Sequence, residues 1–139
     1  SSAAPLFWGA TEPGGDGIWD VNATANWRED SNTESVKWLD LGATDYAAVF
    51  AGKGGTINVA APIRVNRLAF RSDRTVLHGQ ALELTGDQPK IFVADGANAI
   101  LALSVRMPDG TPLPAETYTA ASHPHLVAGG GVLSVESPR

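Results

Sequence analysis

From about Val49 onward, apolar and polar positions alternate in short bursts separated by turn residues. The bursts are Ile57 and Val59, Ile63 and Val65, Leu68 and Phe70, Leu82 and Leu84, Ile91 and Val93, then Leu101, Leu103 and Val105, and finally Val132, Leu133 and Val135. A period of two places alternate side chains on one face, so each burst predicts a short β-strand with that face against a core. The separators include Ser72-Asp73, His78-Gly79, Gly86-Asp87-Gln88-Pro89, Asp95-Gly96 and Asp109-Gly110, which carry the Gly, Asp and Pro chemistry of turns. Between Leu68 and Leu101 the strands recur about every 9 to 14 residues. With 15 Gly and 9 Pro in 139 residues, the punctuation is too dense for long helices.

An all-β chain with this cadence fits two architectures. One is a β-sandwich or jelly roll built from hairpins; the other is a β-solenoid in which each strand stacks on one from the preceding coil. The alternation in Leu82-Glu83-Leu84-Thr85 and Leu68-Ala69-Phe70-Arg71 suits either. The stretch from Ala97 to Val105 stays uncharged on both faces and is rich in Ala, Ser and Asn. Small side chains stack in successive coils without leaving gaps, which favours the solenoid. At this length one domain, 1–139, is expected. It divides into a Trp-rich N-terminal cap section at 1–48, coils at 49–105 and a closing segment at 106–139. The cap section holds all four tryptophans, Trp8, Trp19, Trp27 and Trp38.

Read in order, Phe7-Trp8, Gly17-Ile18-Trp19-Asp20, Asn26-Trp27 and Asp45-Tyr46-Ala47-Ala48-Val49-Phe50 form the pattern W…G-x-W…N-W…D-x-A-x-F. Thr56-Ile57-Asn58-Val59, Val65-Asn66-Arg67-Leu68-Ala69-Phe70, Leu77–Leu84 and Ile91–Ala97 follow it. This succession resembles the opening of bacterial autotransporter-associated β-strand-repeat proteins over roughly residues 7 to 105. The resemblance implies a short right-handed parallel β-helix exported from the cell. A Gly-rich strand, an Asn-x-Tyr-x-Gly-x-Thr turn and an outer-membrane barrel would complete that family's pattern; this sequence instead runs through Asp109–Pro114 and Tyr118-Thr119-Ala120 to Leu126–Val135. That ending looks like the closing segment of secreted proteins carrying one such unit.

Charge and chemistry narrow the function. The net charge is −5 and Lys and Arg never form a block, so no nucleic-acid partner is expected. No segment approaches the ~20 apolar residues of a membrane-spanning helix, so direct membrane insertion is not expected. The absence of cysteine removes disulfides, thiol catalysis, Cys-ligated zinc and iron–sulfur chemistry. The start, Ser1-Ser2-Ala3-Ala4-Pro5, has neither a basic nor an apolar signal region and reads as a mature secreted chain, extracellular or on the cell surface. His78 and the pair His123 and His125 around Pro124 are too few for a metal centre, so no metal and no cofactor are expected. The carboxylates at Asp16, Asp20, Asp40, Asp45, Asp87, Asp95 and Asp109 sit at turns, where they bond their own backbone. Without a nucleophile elbow, Walker loop, dinucleotide fingerprint or zinc-protease helix, an enzyme is not expected.

Two uses remain for the tryptophans. They can cover the open end of a solenoid, or they can stack on a sugar while Asp16, Asp20, Asn22 and Asn26 bond its hydroxyls. The leading expectation for the chain is an extracellular structural subunit that self-associates end to end into a filament or surface layer. In that scheme the strand around Val132, Leu133 and Val135 pairs with a neighbouring copy, hinged at Gly129-Gly130-Gly131; alternatively it closes its own last coil. The rival functions are a carbohydrate-binding module for a polysaccharide and an adhesin passenger fragment.

Overall fold

The computed structural model describes residues 4–9, 14–29, 34–39 and 46–138. Ser1, Ser2, Ala3, Asp40 and Asp45, singled out above, lie outside the described residues. The described residues contain strands and turns and no helix. The cap section contributes β1 (Ala4–Trp8), β2 (Gly17–Trp19), β3 (Trp27–Glu29) and β4 (Ser35–Val36). Nine strands follow as three sets of three. They are β5 (Tyr46–Phe50), β6 (Gly55–Val59) and β7 (Ile63–Val65); β8 (Arg67–Phe70), β9 (Arg74–Gly79) and β10 (Leu82–Leu84); and β11 (Lys90–Val93), β12 (Asn98–Ala102) and β13 (Val105–Arg106). The chain ends with β14 (Thr117–Tyr118), β15 (Val127–Ala128) and β16 (Val132–Val135).

These strands form three sheets. Sheet 1 runs β15-β11-β8-β5-β1-β3-β4, sheet 2 runs β14-β16-β12-β9-β6-β2, and sheet 3 runs β13-β10-β7. From β5 to β13 the chain visits sheets 1, 2 and 3 in fixed rotation, and every pairing among these nine strands is parallel. Antiparallel pairing is confined to β3 and β4 in the cap and to β14 near the other end. Ala48 pairs with Leu68 and Leu68 with Ile91, register steps of 20 and 23 residues. Ile91 then pairs with Val127 after a longer excursion.

The alternation read from the sequence sets which side chains turn inward. Leu6, Ala48, Leu68, Ile91 and Val127 occupy one aligned row of sheet 1 and all are buried. Ile57, Leu77, Leu101 and Val135 do the same in sheet 2, and Ile63, Leu82 and Val105 in sheet 3. Phe50 and Phe70, paired in register, lie ring on ring at 5.0 Å with planes 9° apart. Like rows of apolar side chains therefore fill the space between the sheets without gaps.

Two stretches break the simple period. Ala102 and Leu103 are consecutive and both buried, because the chain turns a corner at Leu103 and Ser104 between β12 and β13. Odd-numbered positions face inward on both sides of the bend, with Ala102 buried between them, and the uncharged run from Ala97 to Val105 is two strands in two sheets. Likewise Leu126–Val135 is β15 in sheet 1 and β16 in sheet 2, joined through Gly129–Gly131.

The glycine runs share one location. Gly14-Gly15, Gly52–Gly55 and Gly129–Gly131 all lie at the corner between sheets 1 and 2. Backbone passes backbone there too closely for a side chain: a Cβ on Gly14 would meet the Lys53 carbonyl oxygen, and one on Gly54 the Arg74 carbonyl oxygen at 2.1 Å. A Cβ on Gly131 would lie 2.3 Å from the Ala94 carbonyl oxygen. The expected hinge at Gly129–Gly131 is thus a tightly stacked corner, and its glycines serve contact with the turn beside them.

Candidate functional site

The cap is an aromatic cluster. Trp19 lies 5.0 Å from both Trp27 and Trp38, edge to face, and Trp8 lies 5.1 Å from Trp27 in the same manner. Phe50 packs against Trp8, Trp19 and Trp27, joining the cluster to the Phe50–Phe70 stack. Trp8 donates its indole N–H to the Gly15 carbonyl. All four rings are at most 2 % exposed, so they present no face on which a sugar ring could lie. The alternative of a sugar platform at Trp8, Trp19, Trp27 and Trp38 is therefore corrected to a covering role, for rings packed edge to face satisfy one another and exclude water. Three of the four polar residues assigned to that platform bond protein groups, and the fourth, Asn22, lines the concavity beside the cap. Asp20 accepts the Thr24 backbone N–H and hydroxyl, Asp16 accepts the Thr56 N–H, and Asn26 donates to the Ile18 carbonyl.

The end nearest the C-terminus is closed by the segment after β13. Leu113 donates its N–H to Val105, and Pro112 bridges Arg106, laying this segment along the outer side of β13. Asp109 accepts the Thr111 N–H, which holds its carboxyl below the usual aspartate value and fixes the turn before it. Tyr118 is buried and donates its hydroxyl to the Pro114 carbonyl at 2.6 Å, while burial, and to a smaller extent Glu116, pushes its phenol up from the ordinary value of 10.0. The Val127 N–H at the edge of sheet 1 is taken by the His123 carbonyl.

Val132, Leu133 and Val135 were expected to meet a neighbouring copy. In the structure β16 pairs with β12 on one side and β14 on the other, and Leu133 and Val135 are buried in the chain's own core. Within one chain β16 thus takes the second of the two placements weighed above, closing its own last coil. The sequence left this open because an unprotected apolar strand reads the same whether its partner is internal or external.

Among the described residues no three His, Asp or Glu side chains converge as a metal site. His123 rests against Tyr118 at 4.3 Å with its Nδ1 bonded to Ser122 Oγ, His125 is exposed on the same loop, and His78 stands on β9. No described helix is long and apolar enough to cross a membrane. A concavity of about 650 Å³ lies beside the cap, lined by Pro5, Leu6, Glu29, Val36 and Lys37, with no clustered catalytic groups.

The chain is similar to an autotransporter adhesin. That relative is the adhesin BmaC autotransporter of Brucella suis biovar 1, 28 % identical over an alignment covering 98 % of this chain and 4 % of the adhesin. The chain thus spans a small part of the length of the curated relative it matches. No protein-family model matches, and no solved structure matches.

What the sequence reading passed over is the outward row of sheet 1. Phe92 sits between inward Ile91 and Val93 and is 36 % exposed, one of two large apolar side chains exposed among the described residues. The guanidinium of Arg71 lies 6.0 Å from its ring centre. The signal was present in the alternation itself, since a strand that buries Ile91 and Val93 must turn Phe92 to solvent.

Proposed function

We propose that this chain is a non-catalytic module of the extracellular or cell-surface space, a short parallel β-helix acting in adhesion. The observation that carries the reading is the similarity to an autotransporter adhesin along nearly the whole chain. The rotation of strands through three sheets, with parallel register steps of 20 and 23 residues, supports the solenoid form over a sandwich, whose sheets are antiparallel. A right-handed winding accords with the strong preference of parallel crossovers. Such a scaffold holds flat outer faces rigidly, which suits attachment better than turnover.

Groups that lie along edge strands at both ends weigh against the filament in this reading: Asn26 on the Ile18 carbonyl at one end, and Pro112, Leu113 and β14 at the other. Adhesion without end-to-end assembly is therefore the reading adopted. Beads coated with the purified protein should adhere to host-cell and abiotic surfaces more than beads coated with the heat-unfolded chain. Equal adherence of the two would overturn it.

A further inference from the structure

The outer face of sheet 1 segregates charge. Along β5, β8, β11 and β15 the charged residues are Arg67 and Lys90, both cations and paired in register, and Arg71 follows directly after β8. This occurs on a chain of net charge −5. The nearest acids by sequence to these cations, Asp73, Asp87 and Asp95, belong to the turns beyond the strand ends.

Phe92 stands in the middle of this face. Its register neighbours are Ala69 on β8 and Ala128 on β15, so small side chains flank the ring on both sides. A Cβ on Gly129 would come within 3.1 Å of Phe92 Cε1, which places the ring edge over a residue with no side chain. Arg71 approaches the ring, and Lys90 is held on the same strand by the carbonyls of Pro124 and His125 at 3.3 and 2.9 Å. Arg67 is anchored by its Nε–H to Asn66 Oδ1. The face is an exposed aromatic ring on a shelf of alanine and glycine, with positioned cations around it.

We propose that this face binds an acidic polysaccharide, carboxylated or sulfated. The Phe92 ring takes the apolar face of a sugar by stacking, and Arg71, Arg67 and Lys90 meet the anionic groups. Stacking supplies the requirement for a ring, and the cations supply the requirement for charge. Arg67 and Arg71 are four residues apart, about 13 Å along an extended strand, a span that fits a chain of several sugars rather than a single one. The proposal deepens the adhesive reading, on which it rests for its setting, by naming the ligand class.

The test uses the full chain with polygalacturonate, heparin and neutral dextran as probes, and with anionic lipid vesicles as the competing polyanion. Binding is expected to at least one of the acidic glycans, to weaken with salt, and to be absent with dextran. Phe92→Ala and Arg71→Gln should each weaken it by roughly tenfold, the size of one lost stacking or charged contact. Glu83→Gln on sheet 3 should leave it unchanged. Because Phe92 and Arg71 are exposed, the variants should keep wild-type melting, and the conservative Phe92→Tyr should retain binding. No binding to either acidic glycan, equal binding to dextran, preference for vesicles, or undiminished binding by both variants would overturn the proposal. Beads that adhere to cells equally with and without Phe92→Ala would sink this site and leave the adhesive role standing. Glycan binding without cell adherence would do the reverse.

Discussion

Trp19 and Trp27 are fully buried at the centre of the cap, Trp19 touching two other tryptophans and Trp27 all three, and both touching Phe50. Truncating either to alanine should cost about 3 to 5 kcal/mol, the range for large aromatic side chains in a core. Urea denaturation of the two variants checks this, and unchanged midpoints in both would refute the covering role. Trp19 Nε1 has no hydrogen-bond partner, so Trp19→Phe gives up volume without orphaning a group and should cost clearly less than Trp19→Ala. The glycines sort by a different rule. Gly96 has φ +79° with open space around it, so alanine there meets only backbone strain, on the order of 1 kcal/mol. Gly131→Ala drives a Cβ against the backbone of Ala94, which cannot swing away, and should be the more destabilising of the two by thermal melting. From sequence, both residues read alike as turn glycines. What separates them is the neighbouring turn, over thirty residues away in the chain, which no local pattern reveals.

At the scale of elements, the strands were legible wherever inward residues are β-branched or large and their neighbours polar. Ile57 and Val59, Ile63 and Val65, and Leu82 and Leu84 each define a strand whose burial follows the alternation. Corners were not legible where they are built from apolar residues: Leu103 follows buried Ala102, and nothing in the composition marks the bend. The tryptophans announced a cluster, and their use as a cover implied burial, although a ring that stacks on sugar and one that stacks on another ring ask for the same residue. The partner of β16 was equally hidden, and its place between β12 and β14 makes a definite expectation. Removing residues 129–139 takes away the strand that pairs with both and the side chains of Leu133 and Val135 from the core. The truncated chain should lose cooperative unfolding altogether, whereas a folded truncated monomer would show that β16 is an accessory. Tyr118, on β14, adds a pH dependence. Its raised pKa means the neutral phenol is the form the fold favours, so its contribution is present below the ordinary value of 10.0 and is lost as pH rises through the higher folded value. The Tyr118 component of the phenolate absorbance should therefore appear only above that ordinary value and together with loosening of β14. Tyr118→Phe should remove that component and leave only the absorbance of the second tyrosine, Tyr46, at a cost of about 1 kcal/mol for the hydrogen bond to Pro114.

At the scale of the molecule, a stack of parallel sheets invites growth at its ends, since an unpaired strand is a template for another chain. This chain counters the invitation differently at each end. Near the C-terminus, backbone does the work: Pro112 and Leu113 lie along β13, β14 covers β16, and the His123 carbonyl takes the edge N–H of Val127. At the cap, sheet 1 is carried into the antiparallel pair β3 and β4, while sheet 2 stops at β2. There the Ile18 carbonyl, pointing along the edge, is held by the side-chain amide of Asn26 at 2.9 Å. Ile18 itself is 44 % exposed, so this edge combines an apolar side chain with a single polar plug. Wild-type protein should stay monomeric in light scattering as its concentration is raised. Asn26→Ala removes the plug without touching the tryptophans directly, leaves the carbonyl free to accept a foreign strand, and should raise association. Ile18→Lys in the same background should reverse it, since a charge on an edge strand is a common guard against pairing. If Asn26→Ala remains monomeric with unchanged melting, the edge is protected by something other than the amide, and the wild-type chain's resistance to end-to-end growth must come from the shape of the cap alone.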